Sequence, residues 1–238
     1  MKCEWKSFKQ MLRAVLKDKM LIAVLFAPIL AGCFFRFGIP KIEEMLCSRF
    51  KQVSIIAPFY GLIDILLAML TSMLMCYVVA MVVLEERDDK VMRYLCVTPL
   101  KQEGYLISRF GFPSAFATAI TCFLVPIFSL ESKSIQNIIL LDLACTLNGL
   151  MIGLVIVILS SNKLEGMAVA KLSAILMLGA FVPYFLKTPM KNVLVWLPSY
   201  WIGEAEYKGQ NGFLFLAILE GIVWCMILVS RFQKKYND

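Results

Sequence analysis

The sequence predicts an all-α membrane protein. It reads as six transmembrane helices, preceded by an N-terminal amphipathic interface helix and interrupted between spans 2 and 3 by a short, charged cytoplasmic helix. Three observations predict this. Hydrophobic residues make up 60% of the 238, against about 45–50% in a soluble domain. Six stretches approach or exceed the roughly 20 mostly apolar residues that a helix needs to cross a bilayer. Charge is concentrated in the segments between those stretches.

Residues 1–19 form the interface helix. Trp5, Phe8, Leu12, Val15 and Leu16 recur at helical spacing with Lys6, Lys9, Arg13 and Lys17 between them, which places an apolar face in lipid and a basic face on headgroups. Residues 20–238 form the six-span domain, with spans at about 20–38, 59–84, 106–129, 135–159, 167–186 and 212–230. Pro28 in the middle of span 1 is expected to kink it. The loop after it contains IEEMLCSRFKQV, read as a surface helix. Span 4 has Gly149 and Gly153 four apart, a spacing that lets two helices approach closely. Residues 187–211 contain Trp196, Pro198, Tyr200, Trp201 and Tyr207; they are apolar enough to dip into a membrane and too broken to cross it. No internal repeat is evident, which counts against inverted-repeat transporter folds.

Lysine and arginine in short loops set the orientation. Sixteen lie on the side of the two termini and eight on the other, so both termini are expected in the cytoplasm of a multi-pass cell-membrane protein. The net charge of +7 then belongs to the membrane surface. No basic patch interleaved with exposed aromatics points to nucleic acid. The eight cysteines form no CxxC pair; most lie in spans, where a thiol acts as a small hydrophobe, and Cys33 with Cys47 is a candidate pairing on the outer side.

The segment between spans 2 and 3 is the most informative. From Glu85 to Glu103 it has nine charged residues, Glu85, Glu86, Arg87, Asp88, Asp89, Lys90, Arg93, Lys101 and Glu103. Such a run must meet water or protein. It also has a helical apolar seam, Val91, Met92 and Leu95, which reads as the docking face of an amphipathic helix.

Several chemistries are excluded. A chain without histidine builds neither a Ser-His-Asp triad nor an HExxH zinc site, and Glu85-Glu86 followed by Lys90 is only a near miss to the EExxxR helix of intramembrane proteases. There is no GxxxxGK[ST], so no phosphate-binding loop. This chain is not expected to be an enzyme or to bind a cofactor; if it uses ATP, a partner must supply the site for the nucleotide and its magnesium. Asp64, Asp142 and Glu220 fall in the outer halves of spans 2, 4 and 6, and Arg36 at the outer end of span 1. Together they are candidates for a translocation cavity that favours cations; the competing view pairs Arg36 with one acid and lets the others reach the outer surface. Arg109 and Lys171 read as interface anchors.

The stretch Glu85 to Arg109 resembles the first cytoplasmic loop of ATP-binding-cassette permeases of the type-2 class. That family has a glutamate-led stretch, a short coupling helix and a [ST]-P-[LV] turn, here LEERDDKVMRYL and Thr98-Pro99-Leu100. Leu197-Pro198-Ser199-Tyr200-Trp201 looks like the family's extracellular Pro-aromatic motif. The resemblance implies a bacterial inner-membrane exporter subunit that dimerises, as a homo- or heterodimer, and pairs with a separate ATPase subunit. It also implies export of a drug, antimicrobial peptide or lipid-like molecule. Coupling would then rest on Glu85, Glu86, Arg87, Val91, Arg93, Leu95 and Pro99, and the extracellular motif on Pro198, Tyr200 and Trp201. Reversing the charge of Glu85 and Glu86 is expected to stop transport without lowering membrane abundance. An ion-coupled secondary transporter built on the three acids is the alternative, and a membrane scaffold is a third class.

Overall fold

A computed structural model describes residues 2–97, 101–131, 133–186 and 194–237. Six helical segments are long and apolar enough to span a membrane, Lys19–Phe50, Ala57–Asp88, Gly104–Phe128, Ile135–Leu159, Lys163–Phe185 and Gly212–Lys235. No strand occurs among the described residues. Both chain termini lie at one end of the bundle, because Lys235 bonds the Ile158 carbonyl and Arg109 bonds Ser7 there. That end is called the terminal end below, and the opposite one the far end.

Helix α1 (Lys2–Val15) does not turn a single apolar face to lipid. Phe8, Met11 and Val15 are buried against the bundle, while Trp5, Leu12 and Leu16 point outward. The two stripes are adjacent at helical spacing, so one helix serves both surfaces. Trp5, Phe8 and Phe112 form an aromatic triangle with ring centres 5.5–5.9 Å apart, tying α1 to the start of span 3. Asp18 then caps α2 (Lys19–Cys33), accepting from the Met20 and Leu21 amides.

Helix α2 runs through Pro28. Its irregular turn comes later, as a π turn at Phe34–Gly38 that leads into α3 (Ile39–Phe50). Pro40 explains the position. It has no N–H for the Arg36 carbonyl, and Ile39 bonds five residues back to Phe34 instead, the π register. The surface helix expected from IEEMLCSRFKQV is therefore the continuation of span 1. Glu43 on α3 accepts from the Ile55, Ile56 and Ala57 amides and so folds the loop back toward span 2. Cys47 packs its thiol on Glu43 and the Val53 carbonyl, and both it and Cys33 are free thiols; the candidate pairing is not made.

Helix α4 (Tyr60–Asp88) and helix α8 (Ile135–Leu159) are the buried spans. Around them stand α2, α7 (Phe112–Phe128), α9 (Lys163–Ser173) and α12 (Gly212–Asn237). Two short helices, α5 (Val91–Val97) and α6 (Lys101–Leu106), link spans 2 and 3. Span 5 changes from α9 to a 3-10 stretch, Ala174–Phe181, before ending in α10 (Val182–Phe185). A long 3-10 stretch inside a span is unusual. Helix α11 (Pro198–Lys208) lies against it, and the Ser199 hydroxyl donates to the Leu176 carbonyl at 2.6 Å.

Candidate functional site

The charged residues expected to begin the coupling helix instead end span 2. Helix α4 continues through Asp88, and Lys90, with φ of 59°, turns the chain into α5. Glu85 and Glu86 thus sit at the negative end of a helix dipole, where a carboxylate is disfavoured by about 0.3–1 kcal/mol. They are not caps of α5. Something else must hold them, and the structure shows what does.

Glu86 faces Arg109, whose side chain is fully buried. The fork is bidentate, Nε to Oε2 at 2.9 Å and Nη2 to Oε1 at 2.5 Å. The remaining arm, Nη1, donates to the Ser7 carbonyl at 2.8 Å and its hydroxyl at 3.0 Å. The Tyr105 hydroxyl donates to Glu86 Oε2 at 2.8 Å. Arg109 is therefore no interface anchor but the centre of a network joining α1, the end of α4 and the start of span 3. Lys171 is exposed, as an anchor should be.

A second, wetter cluster lies beside it. Lys163 bridges Asp18 at 3.0 Å and Glu85 at 2.8 Å. Its own amide donates to Asp88 at 2.9 Å, which places a carboxylate at the N-terminus of α9, where the dipole favours it. Hydrogen bonding by the Lys163 ammonium holds the Asp18 carboxyl below its usual range. Arg87 donates to the Ser160 carbonyl at the end of α8 at 2.7 Å. Every span end at this face, and α1, is thus linked through Glu85, Glu86, Arg87, Asp88 or Lys235.

The apolar seam of α5 turns inward. Met92 is in the core, Leu95 packs against it and Val91 is half-buried, whereas Tyr94 is 75% exposed. The seam is satisfied within the chain, and among the described residues α5 shows Tyr94 to the outside, with the exposed Asp88, Asp89 and Lys90 before it. The Arg93 side chain and the Thr98-Pro99-Leu100 turn lie outside the described residues.

At the far end the four intramembrane ionisable groups do not pair with one another. Arg36 donates to the Ser129 carbonyl at 2.5 Å, not to an acid. Asp64 accepts from the Leu130 and Glu131 amides at 2.8 and 3.1 Å, capping the turn that leaves span 3. Asp142 is fully buried; the Cys122 thiol lies against its carboxyl, but among the described residues neither oxygen has a partner in hydrogen-bond geometry. Glu220 is half-buried, with Oε2 unpartnered among the described residues. An unpaired buried polar group costs about 1–3 kcal/mol. Asp142→Leu, close in shape, is therefore expected to raise thermal stability rather than lower it. A fall in melting temperature would show that the carboxylate has a structural partner.

The Pro-aromatic motif opens α11. Pro198 occupies its first turn, where a missing N–H costs nothing, and Tyr200 is buried with its ring 5.2 Å from Trp201. Trp201 stacks on Phe213 at 5.9 Å and donates to the Val195 carbonyl at 2.9 Å. The motif fastens α11 to α12.

The geometry defines a multi-pass helical membrane protein whose terminal face is a single charge-linked block. Residues 11–232 match the family described as fluoroquinolones export permease protein Rv2686c-like. The chain belongs to that family. Two relatives in Mycobacterium tuberculosis strains, fluoroquinolones export permease proteins MT2760 and Rv2686c, are each 25% identical to it over 239 residues. In each case the match covers 94% of this chain and 92% of the relative. No solved structure matches the chain significantly.

Proposed function

We propose that this chain is the permease subunit of an ATP-driven exporter, inserted with both termini in the cytoplasm. It would work with a separate ATP-binding-cassette ATPase and a second permease subunit. The observation that supports this most is how the segment between spans 2 and 3 is held. A helix moved by a partner transmits force only if it is rigidly joined to the spans. Here Met92 and Leu95 embed α5 in the core, and the Glu86–Arg109–Ser7 network fixes the helices on either side. Tyr94, Asp88, Asp89 and Lys90 remain exposed for the ATPase. Nucleotide and magnesium belong to that partner, since the sequence has no phosphate-binding loop. A drug-like molecule of the kind named for the relatives is the first cargo to test.

Coexpression with a candidate ATPase and affinity capture of this chain tests the proposal. The expected result is a stable complex that hydrolyses ATP and exports drug, with no hydrolysis by the isolated chain. Export that persists without any ATPase, and collapses with the proton gradient, overturns it in favour of an ion-coupled carrier.

A further inference from the structure

At the far end the start of span 2, the turn after span 3, the end of span 5 and helix α11 line an open cleft of about 440 Å³. Its lining includes Phe59, Gly61, Glu131, Tyr184, Glu206 and Tyr207. The volume lies within the roughly 300–1,000 Å³ of small-molecule sites. Aromatic rings form the wall. Tyr184 and Tyr207 meet edge to face with centres 5.1 Å apart, and Phe59 lies 6.2 Å from Tyr184. Phe59 is itself braced by a parallel stack with Phe185 at 5.6 Å.

Two carboxylates face this wall, and each is placed by a specific device. Glu206 lies against the backbone of span 2 because residue 61 is glycine; a Cβ there would come within 2.6 Å of Glu206 Oε1. Glu131 is held by its own amide, which donates to the buried Asp64. Lys133 pairs with Glu206. Glu131 is exposed and has no ion pair among the described residues. Among the described residues at the cleft, two carboxylates stand beside three aromatic rings, and only Glu206 is neutralised by an ammonium.

This combination selects by chemistry. A cation over a tyrosine face is attracted by the ring quadrupole and by the unpaired carboxylate, whereas an anion is repelled and a neutral ring gains only contact area. A metal ion fits poorly, since no cluster of three or more acidic, cysteine or histidine ligands occurs among the described residues. We infer that the cleft bounded by Phe59, Tyr184, Tyr207, Glu131 and Glu206 is a binding site for an aromatic organic cation. The inference concerns binding alone and does not depend on ATP-driven export.

The test uses the full chain in lipid nanodiscs, without any ATPase, and titrates N-methylacridinium by fluorescence. Acridine at mildly alkaline pH serves as the uncharged shape match, and empty nanodiscs correct for partition into lipid. Wild-type protein is expected to bind the cation more tightly than acridine. Glu131→Gln, at an exposed position with no ion pair among the described residues, should weaken cation binding about fivefold, the gain of one charge pair in water-like surroundings, and leave acridine unchanged. Tyr207→Ala should weaken the cation by a similar factor, about two- to fivefold, with Tyr207→Phe retaining it. Unchanged melting curves show that the variants fold. Equal affinity for the two probes, or cation binding unaffected by Glu131→Gln and Tyr207→Ala, overturns the assignment. Because no nucleotide is present, failure of the export reading leaves this result unaltered.

Discussion

Arg109→Ala is expected to cost about 3–5 kcal/mol of stability, the usual penalty for leaving one member of a buried ion pair without its partner. All three nitrogens of its guanidinium are used, on Glu86 and Ser7, so removal leaves the Glu86 carboxylate with no countercharge, held only by the Tyr105 hydroxyl, and frees the Ser7 carbonyl as well. Arg109→Lys should recover little, because a single ammonium cannot reproduce a planar fork. Replacing both charges by methionine should restore much of the loss, since an apolar pair of similar volume is often as stable as a buried salt bridge. Unfolding of the purified chain in denaturant, followed by tryptophan fluorescence, measures all four proteins. A single variant as stable as wild type would show that the network does not hold α1 and span 3 to span 2.

The same network revises the expectation drawn from the charges alone. The charge pattern alone predicts that charge reversal at Glu86 spares abundance. With Arg109 buried against it, that change sets two cations together, and abundance should fall. Glu85 is different: it is 46% exposed and shares Lys163 with Asp18, so its reversal belongs with surface pairs worth about 0–1 kcal/mol.

How much was legible follows from the range of each interaction. The six spans come directly from apolar length, and their ends fall within a few residues of expectation except where a helix outruns the hydrocarbon. Spans 1 and 2 each extend over 32 residues, about 48 Å at 1.5 Å per residue, so composition marks the lipid boundary but not the helix end. That is why Glu85 and Glu86 were read into the next helix. Long-range partners were not legible. Arg109 and Glu86 are 23 positions apart, and an arginine at a span end reads the same whether it anchors or is buried. The aromatic cleft was missed because its residues come from four separate segments.

One local signal is written in the sequence itself. Arg36-Phe37-Gly38-Ile39-Pro40 and Arg109-Phe110-Gly111-Phe112-Pro113 share the pattern R-F-G-x-P. Both form a π turn ending at the glycine. In each, proline cannot donate to the arginine carbonyl four residues back, and the preceding residue bonds five back, Ile39 to Phe34 and Phe112 to Ile107. Each arginine then reaches a backbone carbonyl on another segment, Ser129 at the far end and Ser7 at the terminal end. The repeat is local and implies no duplicated fold; the same π turn precedes a proline at both faces, and at each its arginine bonds a carbonyl of another segment.

Spans 2 and 4 approach backbone to backbone at Gly149, and Gly149→Ala is the second change expected to have a large effect. A Cβ at this position would lie 2.8 Å from both the carbonyl carbon and oxygen of Ser72, and 3.1 Å from the Met73 nitrogen. These are backbone atoms of α4, so no side chain can swing away and the two buried helices must separate. Alanine gains about 1 kcal/mol of helix propensity over glycine, yet overpacking of a tight interface costs about 1–3 kcal/mol, and the net effect should be a loss. Gly149→Leu should lose more. Gly153, one turn on, meets Cys76 at 3.1–3.2 Å, a distance that a few tenths of an ångström of movement relieves, so Gly153→Ala should be the milder change. Gly212, at the start of α12, has nothing within 4 Å, and Gly212→Ala should be neutral or stabilising. The expected order of melting temperature is therefore Gly212→Ala, Gly153→Ala, Gly149→Ala, Gly149→Leu, from highest to lowest. A Gly149→Ala protein as stable as Gly212→Ala would mean that α4 and α8 are not packed backbone to backbone at Ser72.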